Sequence, residues 1–129
     1  MEDIYDDEKG LRIQITKKCI NESEALFFEV TGSIDTHTCS IHLLDNVITQ
    51  KVQETAVKHV VFDLENLHHI NSTGIGFLIK FADDFSKQNQ GKIYVVNADD
   101  EKQQLFDMLG LWPLFVKVDN GTDIASYIS

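Results

Sequence analysis

Residues 60–76 read Val60-Val61-Phe62-Asp63-Leu64-Glu65-Asn66-Leu67-His68-His69-Ile70-Asn71-Ser72-Thr73-Gly74-Ile75-Gly76, and two periodicities meet within them. Val60, Val61, Phe62 and Leu64 make an almost uninterrupted apolar run, the mark of a central strand covered on both faces. From Ser72 onward Ile75, Leu78, Ile79, Ala82 and Phe85 recur at steps that share one side of a helix, which ends in the polar Lys87-Gln88-Asn89-Gln90-Gly91. A buried strand, a longer turn and an amphipathic helix are the opening of a strand–helix–strand unit.

The same alternation extends outward in both directions. Upstream, Leu11, Ile13 and Ile15 alternate with Arg12, Gln14 and Thr16, the period of a half-exposed strand. A second strand is expected over Ala25 to Thr31, stopped by Gly32, with Asn21-Glu22-Ser23-Glu24 as the hairpin or short loop between. Ile41, Leu44, Ile48 and Val52 then predict a helix, for which Asp35, Thr36 and Thr38 are candidate N-caps. Downstream, Ile93 to Val96 reads as a buried strand, and Leu105, Met108 and Leu109 as the inner face of a helix stopping at Gly110. Phe115 to Val118 and Ile124 to Ile128 supply a last strand and a last short helix. The expected order is β-β-α-β-α-β-α-β-α: a single α/β domain with a mostly parallel mixed sheet of about five strands and about four helices. Residues 1–9, carrying Glu2, Asp3, Asp6, Asp7 and Glu8, are expected as an acidic flexible end ahead of a domain over 10–129.

With 129 residues, the chain suits one domain. Its 11 basic and 21 acidic side chains give a net charge of −10, a field that repels phosphate. Nucleic acid and anionic membrane are thereby disfavoured, leaving proteins or small ligands as partners. Cys19 and Cys39 are too few and too far apart for a redox pair or a zinc site. The acidic N-terminus is unlike a signal peptide, and no run approaches the roughly 18 apolar residues that span a bilayer. A cytoplasmic setting is the expectation.

Sheets of this kind bind beyond the carboxyl ends of their strands. Two turns fall there: Gly32-Ser33-Ile34-Asp35-Thr36, and the turn that ends in Asn71-Ser72-Thr73-Gly74-Ile75-Gly76. If their strands are neighbours, Asp35 and Ser72 share a surface. Gly74 and Gly76 after Ser72 make a small, open helix start that a large partner can approach closely. Ser72 then has two readings, a helix N-cap or a modifiable hydroxyl, with Thr73 as the competing hydroxyl. Trp112, beside Pro113, is the best candidate for a partly exposed aromatic.

The segment from Asp63 to Gly76 resembles the signature of the STAS domain, the fold of anti-sigma factor antagonists and of sulfate-transporter tails. Gly32-Ser33-Ile34-Asp35 is similar to the same family's first characteristic turn. The resemblance covers nearly the whole chain from about Leu11. It implies a non-catalytic partner switch: the serine opening the second helix is phosphorylated by an anti-sigma factor that is itself a serine kinase of the histidine-kinase-like ATPase type. The unmodified antagonist binds that kinase, and a serine phosphatase removes the phosphate. By position that serine is Ser72, with Thr73 as the alternative. Asp35 matches the family's supporting aspartate, while Asn71 stands where the family usually has an aspartate. The implied binding surface comprises Asp35, Asn71, Ser72, Thr73, Gly74, Ile75, Phe77 and Phe81. No cofactor, metal, nucleic acid or membrane is implied. The alternative output on the same fold is control of a phosphatase, a cyclase or another signalling enzyme.

Other chemistries fit less well. His68-His69 point apart if extended, and His37 and His42 do not share a helix face, so zinc is not expected. Asp83-Asp84 and Asp99-Asp100 read as solvated charge and helix-dipole complement. A nucleophile elbow requires glycine where the chain has Ile70, and no phosphate-loop lysine follows Gly76.

Overall fold

Asn21 and Glu22 have φ of 51° and 70°, the positive pair that a two-residue primed turn demands. They join β2 (Leu11–Ile20) to β3 (Ser23–Ile34) in a hairpin whose ladder runs from Leu11 opposite Gly32 to Ile20 opposite Ser23. The computed structural model describes residues 2–6, 11–34, 45–89, 91–118 and 124–127. Within them the N-terminal segment expected to be flexible forms a strand instead. β1 (Glu2–Asp6) pairs antiparallel with Arg12 to Thr16. The cause lies in the backbone: β2 would otherwise be a long unpaired edge, and the β1 ladder covers it. Ile4 stays 51% exposed in that strand.

β3 then pairs in parallel with β4 (His59–Asp63), β4 with β6 (Lys92–Val96), and β6 with β7 (Val116–Lys117). A short β5 (Leu67–Ile70) lies on the far half of β3, beyond the end of β4. Among the described residues the sheet therefore has seven strands, in the order β1-β2-β3-β4-β6-β7 with β5 beside β3. The expected count of about five lacked β1 and β5.

Among the described residues, three helices connect the parallel strands. α1 (Gln50–Thr55) follows a wider π turn over Asp45–Thr49, α2 spans Ser72–Asn89, and α3 spans Asp100–Met108. Ile48 and Val52 are buried as expected, whereas Ile41, Leu44 and the candidate caps Asp35, Thr36 and Thr38 lie outside the described residues. Because the parallel strands are added in one direction, right-handed crossovers carry every helix to the same face. One core accordingly unites Leu26, Phe28, Val60, Phe62, Ile93 and Val95 with Ile48, Ile75, Phe81 and Phe106. The opposite face holds a smaller cluster of Ala25, Val61, Tyr94 and Val118, with Ile124 and Tyr127 packed on it. Val60, Val61 and Phe62 are thus covered on both sides. Of the expected C-terminal helix, the described residues form a 3-10 turn, Ile124–Ser126, tied down by Asn21 Nδ2 donating to the Ala125 carbonyl at 2.8 Å.

α3 is rotated from expectation. Its buried residues are Lys102 and Phe106, while Met108 and Leu109, expected inside, are 82% and 50% exposed. Phe106 decides this by packing on Trp112 at 4.9 Å and Phe115 at 5.6 Å between ring centroids. The helix stops at Gly110, φ 65°, with the Leu111 N–H donating back to the Phe106 carbonyl at 2.9 Å.

His59 Nδ1 lies 3.3 Å from the Tyr94 hydroxyl, and His59 faces Lys92 across the β4–β6 ladder. Burial, and secondarily the Lys92 charge, push the imidazole below its ordinary value of 6.5. The unfolded chain therefore takes up this proton first. The contribution to stability is complete above that ordinary value and is lost as pH falls through it toward the folded value. Urea midpoints compared at mildly alkaline and mildly acidic pH should drop less for His59→Gln than for the parent chain, and an equal drop would exclude His59 as a source of the slope.

Candidate functional site

The site is built by the turn that carries the chain from β4 into β5. Asp63 Oδ1 accepts the Glu65 N–H at 3.0 Å and Asn97 Nδ2 at 3.1 Å, so one carboxylate holds the turn and the exit of β6 together. The Leu67 N–H donates to the Leu64 carbonyl and the Leu64 N–H to the Val96 carbonyl, both at 3.1 Å. The chain then meets β3, where the Gly32 N–H donates to the Asn66 carbonyl at 3.0 Å. Gly32 was expected to stop its strand. Instead it sits within β3 at φ 108°, next to a register shift between Gly32 and Ser33, a bulge geometry that a side chain would strain.

Past the bulge, Ser33 pairs with His69 and Ile34 with Ile70, so the ends of β3 and β5 lie side by side. Asp35 itself lies outside the described residues. One residue after Ile70, Asn71 Oδ1 accepts the Gly74 N–H at 3.0 Å, and the Asn71 carbonyl accepts the Ile75 N–H at 3.0 Å. Asn71 is therefore the N-cap of α2, and Ser72 is its first helical residue. The capping reading of Ser72 is overturned, and its exposed hydroxyl has no cap to provide. Thr73 is exposed beside it, whereas Gly74 and Ile75 are buried. The first turn of α2 contains no acidic residue. By contrast, α3 begins with Asp99 as cap and Asp100 and Glu101 in its first turn. The positive end of the α2 dipole thus has no carboxylate within its own first turn.

Besides Gly74 and Ile75, two further residues of the expected binding surface belong instead to the interior. Phe77 and Phe81 are 9% and 6% exposed, and their rings stack at 6.0 Å, continuing to Phe85 at 5.9 Å. Phe81 also meets Phe62 edge-on at 5.8 Å, which fastens α2 to the central strand. The outward face of α2 near its start is Ser72, Thr73, Gly76, Ile79 and Lys80. A methyl group added at Gly76 would touch nothing within 4 Å, so the fold itself does not call for glycine there.

Remaining candidates resolve plainly. Trp112 is partly exposed, as expected. His68 and His69 do not point apart: both line one groove, since the β3 ladder passes from Leu67 to His69. Among the described residues no group of three or more His, Cys, Asp or Glu is placed to hold a metal ion. No described helix is long and apolar enough to cross a membrane. Asp99 lies below the ordinary carboxyl value, chiefly because it accepts the Lys102 N–H, with the Lys102 ammonium adding to this.

Comparison with known proteins agrees with this architecture. The STAS domain family model matches residues 14–124, and the chain belongs to that family. The anti-sigma-B factor antagonist of Staphylococcus aureus is 29% identical over 100 residues, covering 76% of this chain and 88% of that protein. The unphosphorylated anti-sigma factor antagonist SpoIIAA superposes with a TM-score of 0.61 at 14% identity, covering 88% of this chain and 94% of that one. The phosphorylated form of the Bacillus cell fate determinant SpoIIAA gives 0.58 at 16% identity, over 81% and 91%.

The cap assignment makes a stability prediction. Asn71→Ala should cost about 1 kcal/mol, Asn71→Asp should cost little, and Gly76→Ala should add about 0.5–1 kcal/mol in denaturant titrations. An Asn71→Ala chain as stable as the parent would show that the cap is absent.

Proposed function

We propose that this chain is an anti-sigma factor antagonist: a phosphorylation-controlled, non-catalytic binding module. It binds an anti-sigma factor serine kinase of the histidine-kinase-like ATPase type when Ser72 is unmodified and releases it when Ser72 carries phosphate. A serine phosphatase resets it. The observation that carries this reading is the division of labour at the start of α2, where Asn71 caps the helix and leaves the adjacent Ser72 hydroxyl exposed. The Staphylococcus aureus relative, named for antagonism of an anti-sigma factor, supports the partner class, and SpoIIAA is a protein of this fold known in a phosphorylated form.

Phosphate at Ser72 adds about −1.5 to −2 charges at a helix N-terminus. Free N–H groups and the dipole favour an anion there, so α2 is not expected to melt. A partner surface shaped to a neutral hydroxyl must instead exclude the phosphate, and it does so against a chain whose net charge is already −10. The partner meets Asn71, Ser72, Thr73 and Gly76 at the helix start. Asp35, which matches the family's supporting aspartate, is assigned the supporting role. Gly74 and Ile75 shape this surface from beneath, and Phe77 and Phe81 contribute by holding the helix in place.

Incubation with the cognate kinase and ATP should add one phosphate, which mass spectrometry locates on Ser72. Phosphate persisting in Ser72→Ala would refute the site and direct attention to Thr73.

A further inference from the structure

Between β5 and α3 lies a groove of about 300 Å³ lined by His68, His69, Ile70, Lys102, Leu105 and Met108. Three observations set it apart. Met108 and the following Leu109 are 82% and 50% exposed at the end of a helix whose own core contact is made by Phe106. Lys102 is only 4% exposed, and Asp99 is the acceptor of its ammonium, at 3.2 Å. Since an ammonium carries three donors, this one retains capacity for a further acceptor. Finally, among the described residues β5 pairs with β3 alone, and it runs directly into Asn71 and Ser72.

Charge decides what fits. The start of α3 carries Asp99, Asp100 and Glu101, and Glu101 itself lines the groove. With Lys102 already paired to Asp99, an anionic ligand gains little. An uncharged acceptor such as a peptide carbonyl satisfies the ammonium without opposing the carboxylates. Apolar side chains match Ile70, Leu105 and Met108, and a cationic side chain matches the acidic rim. From this geometry we infer that the β5–α3 groove is a second docking site, which receives an extended segment of the protein partner that alternates apolar and basic residues. The segment lies along β5, its carbonyls toward Lys102, its apolar side chains on Leu105 and Met108, and its basic side chains at the rim. Because β5 leads into Ser72, the groove extends the surface assigned above. It rests on that reading only for the partner's identity.

The test uses the full chain and a short labelled peptide alternating leucine with lysine. In amide spectra the peptide should shift Leu67 to Ile70 and Leu105 to Leu109. Met108→Lys and Glu101→Lys, both at exposed positions, should each weaken binding by about tenfold or more. Equal binding of a serine–lysine peptide would reduce the effect to charge alone, and equal binding of a leucine–glutamate peptide would remove the role of the rim. Either result, or shifts confined to other residues, overturns the proposal. Concentration-dependent shifts of the same amides without peptide would assign the groove to a second copy of this chain instead. The titration involves no phosphate and no kinase, and its readout is the amides of β5 and α3. Failure here and failure of the Ser72 assignment are therefore read separately.

Discussion

One backbone constraint organises this molecule: β3 has to serve two parallel partners in succession. Its first half pairs with β4 from Ala25 to Glu29, and its second half pairs with β5 from Gly32 to Ile34. The change of partner occurs at Gly32, whose φ of 108° an L side chain rarely adopts. Beyond Glu29 the ladder with β4 ends, and β5 takes its place along β3, guiding residues 67–70 to the carboxyl edge of the sheet and into the start of α2. The Gly32–Asn66 hydrogen bond and the Asp63 carboxylate hold the two halves of this arrangement together.

Upon that frame, adjacent residues take separate roles. Asn71 supplies the hydrogen bond the helix needs, the Phe77-Phe81-Phe85 stack anchors the helix to the sheet, and the first turn keeps its polar hydroxyls outward. A residue with no structural duty can change its charge without changing the fold. This is the physical basis on which the proposed switch operates by exclusion at a surface rather than by refolding.

Much of this was legible in the residues, and the exceptions have identifiable causes. Apolar runs and three- or four-residue spacing located β2, β3, β4, β6 and the long helix, and Gly110 marked the end of α3. β5 was hidden because Leu67-His68-His69-Ile70 breaks the two-residue period: its ladder with β3 passes from Leu67 to His69 and leaves His68 as the extra residue. β1 was hidden because its ladder is made by backbone groups, which acidic side chains do not reveal. The facing of α3 depended on Phe106 finding Trp112 and Phe115, a tertiary choice absent from helical spacing. At the site, Ser72 and Asn71 were both legible as polar residues at a helix start. Which of them caps was decided by the exact end of β5, one residue earlier. Phe77 and Phe81 drew attention as candidate contacts, but their four-residue spacing is that of a core stripe.

The central claim is that one charge at Ser72 controls partner binding while leaving the fold intact. Its most direct test is calorimetric titration of the anti-sigma factor against the unmodified and the Ser72-phosphorylated chain, with amide spectra of both forms. The account predicts binding weaker by about 100-fold or more on phosphorylation, a difference of about 2.7 kcal/mol, with spectral changes confined to the start of α2 and the adjoining ends of β3 and β5. Equal affinity of the two forms, or changes spread through the sheet, would contradict it.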